Sequence, residues 1–104
     1  MNVKYNKLVR DKIPEIITRK GNVAKIRTTS SAEYKEKLRE KLKEEVLEFL
    51  KDENVDELTD ILEIVYALSE ENGISKDELE MIRKKKAGER GAFREKSILE
   101  EVDE

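Results

Sequence analysis

Apolar residues recur through the middle of the chain at spacings of three and four, the period of a helix with one covered side. Tyr34, Leu38, Leu42, Val46 and Phe49 form one such stripe. Ser30 followed by Glu33 has the form of a capping box, so a long amphipathic helix is predicted over residues 31–51. Asn54 followed by Glu57 repeats the signal. Leu58, Ile61, Leu62, Val65 and Leu68 then predict a second helix over 55–71, stopped by Gly73. Ser75 followed by Glu78 opens a third helix carrying Leu79, Ile82 and Ala87, with Gly88 and Gly91 expected to break it. Upstream, Pro14 suits the first turn of a short helix whose apolar side is Ile13, Ile16 and Ile17 and whose stop is Gly21. Residues 23–28 alternate weakly and read as one short extended segment, with no second strand to pair with. Residues 1–12 read as an ordered loop or arm. In the tail, Phe93, Ile98, Leu99 and Val102 are expected to pack back on the body, and residues 100–104 to fray.

The expected class is therefore all-α, and 104 residues make a single domain, 1–104. Charged residues are 45% and hydrophobic ones 37%, which is thin for a monomeric core. The second helix nevertheless has a very wide apolar arc, with Ile64, Tyr66 and Ala67 adding to its stripe. Only Asp56, Thr59, Glu63 and Glu70 are left for water. Such an arc is hard to cover with the few other elements of the chain. The expectation is a helical hairpin core that becomes a four-helix-bundle-like assembly by oligomerisation, as a homodimer or homotetramer. An N-terminal arm and short helix sit beside it.

Charge and missing residue types narrow the chemistry. The net charge is −3, from 22 basic and 25 acidic residues, without the basic excess of a nucleic-acid binder. There is no Cys and no His. That excludes disulfides, thiolate nucleophiles, Ser-His and Cys-His pairs and His- or Cys-ligated zinc. No apolar run approaches about 18 residues and no apolar signal region opens the chain, so the protein is read as cytoplasmic with no membrane partner.

What remains is carboxylate chemistry. Glu45 and Glu48 are three apart on the first long helix, as are Glu57 and Asp60 on the second, so each pair shares a helix side. At about 100° per residue, Glu45 lies about 45° from the centre of the apolar stripe and Glu48 about 105° away. Glu44 is farther round, and Glu57 and Asp60 fall among Ile61, Ile64 and Ala67. Buried carboxylates neutralise, pair with a cation or bind metal. The plainer reading of Glu57 and Asp60 is a salt bridge to Lys or Arg, or service as helix-start charges, and the helix-start reading suits Glu57 better than Asp60. Two acids on each of two facing helices make Glu45, Glu48, Glu57 and Asp60 the expected ligands. All-oxygen donors point to Mg²⁺, with Mn²⁺ as the alternative. Glu63 reads as a solvated bystander.

Two basic groups could hold an anion at such a metal. One is Lys7, Arg10 and Lys12 beside Tyr5. The other is Arg83 and Lys86, followed by Arg90, Gly91 and Phe93, whose ring offers a stacking face for a base. The plainer readings are helix C-terminal charge complementation, above all for Lys84 and Lys85, and Phe93 as a core plug.

The segments KLREKLKEEVLEFL and DELTDILEIVYAL resemble the EExxE…ExxD signature of the MazG-type all-α nucleotide pyrophosphohydrolases. KLVRDKIPEII at the start and RKKKAGERGAF near the end resemble a small single-domain branch, often labelled phosphoribosyl-ATP pyrophosphohydrolase-like. The resemblance covers nearly the whole chain. It implies an oligomeric helical bundle and Mg²⁺-dependent hydrolysis of a nucleoside triphosphate to the monophosphate and pyrophosphate. By position it implies Glu45, Glu48, Glu57 and Asp60 as metal ligands. It makes Glu44, beside Glu45, the acid that orients or deprotonates water or assists a second metal. Only eight residues separate Glu48 from Glu57, a shorter link than many relatives have. The expected role is clearance of surplus or aberrant nucleotides. The alternative is a non-catalytic helical module that binds nucleotide, metal or a partner without turnover.

Overall fold

The computed structural model describes residues 1–103 as four helices, with no strand among the described residues. They are α1 (Ile13–Arg19), α2 (Ser31–Asp52), α3 (Val55–Glu71) and α4 (Lys76–Arg90). The expected caps start the three long helices. Ser30 Oγ accepts from the Glu33 amide and Ser75 Oγ from the Glu78 amide, both at 3.2 Å. Asn54 differs in detail, because its Oδ1 accepts from Asp56, two residues on, at 2.9 Å.

The turn between α2 and α3 is tight. Glu53 adopts a left-handed conformation (φ 50°) and donates its amide to Phe49 O at 2.7 Å, which closes α2. Only Asn54 then precedes α3. This folds the two helices into an antiparallel hairpin, the main packing unit of the chain. α3 ends at Gly73 (φ 78°), where a side chain would be strained. Ser69, which is buried, donates to Ile74 O at 2.8 Å and fastens this turn.

Residues 23–28 carry no regular structure, as an extended segment without a partner strand would, and Arg27 makes a two-pronged contact with Glu33 at 2.8 Å, tying the link to the start of α2. The Arg27 hydrogen bond, followed by that of Thr29, pushes the Glu33 carboxyl down to about 2. Two expectations are corrected. Gly88 does not break α4, which runs on to Arg90 and stops at Gly91 (φ 83°). A helical glycine costs only about 1 kcal/mol relative to alanine, less than the backbone bonds around it supply. The tail does not return to the body. Phe93, Ile98, Leu99 and Val102 are all exposed, since their spacing of five, one and three makes no single face to dock. Residues 100–103 carry no regular structure, and Glu104 lies outside the described residues.

The core within one chain is small. Leu38 of α2 and Ile64 of α3 are its two buried apolar side chains. Val46, Leu47, Leu50, Leu58 and Leu62 remain exposed on the same hairpin. The radius of gyration is 18.4 Å, against about 13 Å for a compact chain of this length. No helix is long and apolar enough to cross a membrane.

Candidate metal and anion site

The hairpin brings acids from its two arms together. One carboxylate oxygen each from Glu45 of α2 and Glu57 and Asp60 of α3 lie within 4.8 Å of one another. The helical spacing of three aims Glu57 and Asp60 at the same side, and the tight turn sets that side against Glu45. Glu45 is the best covered, with a side chain 12% exposed and Lys41 Nζ at 3.7 Å. Lys41 was absent from the sequence-derived set. It lies four residues before Glu45 and so on the same face, a signal the sequence does contain.

Crowding shows in Glu57. It shares a hydrogen bond with the Glu45 carboxyl and is partly desolvated. It also feels the charges of Glu45, Asp60 and Glu48, and together these raise its pKa from 4.5 to about 7. The hydrogen bond is the largest cause and burial the next.

The N-terminal arm supplies counter-charge. Arg10 Nη2 donates to Asp60 Oδ1 at 2.5 Å, across 50 residues of sequence. Lys7 Nζ donates to Glu44 Oε1 at 2.7 Å. That bond holds the Glu44 carboxyl below its usual range and the Lys7 amine above its own. Lys37 adds a bond from Nζ to Asn6 O at 3.0 Å. Lys7, Leu8, Lys37, Glu40, Lys41 and Glu44 line a cleft of about 140 Å³ beside the acids. A larger, open hollow of about 360 Å³ lies in the tail around Phe93. It pairs a single acid, Glu95, with a single base, Lys96, so the convergent chemistry belongs to the smaller cleft.

The other sequence-derived residues are placed as follows. Glu48 is exposed and outside the three-carboxylate group, though its charge reaches both Lys7 and Glu57. Glu63 is exposed, as expected of a bystander. Lys12 is exposed on the arm. Arg83 is occupied by Glu80, with bonds of 2.9 and 2.5 Å, and its field also reaches Tyr66. Tyr66 is six residues beyond Asp60, roughly 9 Å along α3. Lys86, Arg90 and Phe93 are exposed, and Phe93 plugs no core. The arm's cations reach the acids, Lys7 through Glu44 and Arg10 through Asp60.

The donor set suits a small hard cation. An octahedral Mg²⁺ at about 2.1 Å sets neighbouring ligand oxygens about 2.9 Å apart and opposite ones about 4.1 Å apart. The three carboxylate oxygens, within 4.8 Å of one another, are close to that spacing. No family model matches the sequence, and neither does any curated protein or solved structure.

Proposed function

We propose that the chain is a Mg²⁺-dependent nucleoside triphosphate pyrophosphohydrolase of the MazG-like kind, working as a homodimer or homotetramer in the cytoplasm. The observation that carries this reading is the convergence of Glu45, Glu57 and Asp60 from two adjacent helices, edged by Lys7 and Arg10. Three carboxylate oxygens within 4.8 Å of one another are suited to a divalent cation. Cations beside them are suited to the phosphates that such a metal carries.

In this reading Glu45, Glu57 and Asp60 hold Mg²⁺ or Mn²⁺, with Glu48 supplying further negative field at the rim. The ion, when bound, screens phosphate charge and acidifies water. Glu44 is kept ionised by Lys7 and takes the proton from the attacking water. A bond forms from the water oxygen to the α-phosphorus. The anhydride oxygen departs with pyrophosphate, leaving the nucleoside monophosphate. Lys7 and Arg10, with Lys12, neutralise the phosphates. Arg83, Lys86, Arg90 and Phe93 supply further cations and a stacking face for the nucleotide.

A second reading is favoured by the ion pairs themselves. Asp60 and Glu44 already have cationic partners, as a non-catalytic helical module would arrange them. Incubating the protein with a panel of ordinary and modified nucleoside triphosphates and Mg²⁺ separates the two. Equal amounts of monophosphate and pyrophosphate are expected. Mg²⁺-dependent nucleotide binding without product would establish the second reading instead.

A further inference from the structure

The N-terminal arm is joined to the body in an unusual way. Residues 1–9 make no backbone–backbone hydrogen bond to the helices among the described residues. Their apolar side chains hold little, because Met1, Val3, Tyr5 and Val9 are exposed and Leu8 is half-buried. What fastens the arm is charge: Lys7 on Glu44, Arg10 on Asp60 and Lys37 on the Asn6 carbonyl. Two of these three fastenings end on the acids at the cleft, one of them on a member of the converging three. All the ion-pair side chains involved are at least one-third exposed, so the contacts are open to exchange with ions.

We propose that residues 1–12 form an electrostatic strap, closed on the acidic cluster by Arg10 and Lys7, that a divalent cation opens by displacing Arg10 from Asp60. The proposal rests on the reading of Glu45, Glu57 and Asp60 as a metal site. A cation ligated by Asp60 stands within about 5 Å of a guanidinium still bonded to the same carboxylate, and like charges at that range repel. The strap and the metal therefore compete for one carboxylate. Competition is reciprocal: whatever factor the metal loses to Arg10, the strap loses to the metal. The released Arg10 remains tethered beside the metal, free to take up the phosphates of an arriving anion together with Lys7, which stays at Glu44. The same two cations thus serve as internal counter-ions before loading and as anion ligands after it.

Two measurements on the full chain test this. The first is calorimetric titration of Mg²⁺ into the wild type, Arg10→Gln and Lys7→Gln, with circular dichroism to check that each is helical. Arg10→Gln is expected to bind Mg²⁺ about fivefold more tightly than the wild type, and Lys7→Gln to move in the same direction by less. The second places a nitroxide on Asn2→Cys, the sole thiol in a chain that has none of its own. Its spectrum is expected to sharpen on adding Mg²⁺, as the arm comes free. Mg²⁺ binding that is equal or weaker in Arg10→Gln, with a spectrum indifferent to Mg²⁺, overturns the strap and leaves the metal site standing. Absence of Mg²⁺ binding in all three proteins overturns both.

Discussion

Glu57 has the most perturbed carboxyl at the cleft, and the sign of its shift makes a pH prediction. Its folded pKa, about 7, is above the ordinary 4.5. The folded state therefore holds the proton more tightly than the unfolded chain does. The resulting stability is fully present below pH 4.5 and is lost as pH rises through 7. Without divalent metal, the melting temperature is expected to fall between pH 5 and pH 8, and Glu57→Gln to flatten that slope. A wild-type melting temperature that rises over this interval would oppose the assignment. Metal ligation needs the deprotonated form, so added Mg²⁺ should raise the melting temperature more at pH 8 than at pH 5.5. Asp60→Asn should remove most of the Mg²⁺ effect while leaving the helices intact. The sequence showed why Glu45, Glu57 and Asp60 differ from other acids, because helical phase alone sets them toward apolar neighbours. It also placed Asp56, Thr59, Glu63 and Glu70 on the exposed strip of α3, where they are. It did not show that Arg10 and Lys7 close on Asp60 and Glu44. Those pairs span 50 and 37 residues, and no local period encodes such a distance.

At the scale of elements, the long helices were legible because stripe and cap agree. Residues 31–51 and 55–71 were expected, and Ser31–Asp52 and Val55–Glu71 are found. The misreadings occurred where local chemistry was outvoted. Gly88 looked like a stop but has ordinary helical neighbours, and a Cβ added there meets nothing within 4 Å. Its φ is not positive, so Gly88→Ala is expected to stabilise the protein by about 1 kcal/mol in chemical denaturation. Residues 23–28 alternate weakly with no strand to pair with, and they carry no regular structure. In the hairpin itself Leu38 is 3% exposed, so Leu38→Ala should cost about 2–5 kcal/mol, the range for truncating a buried leucine. Denaturant midpoints for the two variants should therefore move in opposite directions.

The whole molecule has more apolar surface than one chain covers. Leu47, Leu50, Leu58 and Leu62 are each 45% exposed or more. With the expanded radius of gyration, this supports pairing of two hairpins into a four-helix bundle. Light scattering at micromolar concentration should return twice the chain mass or more, and Leu58→Glu with Leu62→Glu should reduce it to one. The wide arc of α3 is the sequence feature that argues for a shared core. The acids remain the centre of the account, and the most direct test is product formation. With Mg²⁺ and a panel of nucleoside triphosphates, the wild type is predicted to release pyrophosphate and monophosphate in equal amounts, and Asp60→Asn to lose at least about a hundredfold of that rate. No pyrophosphate from any triphosphate by folded wild type, or an unchanged rate in Asp60→Asn, would contradict it.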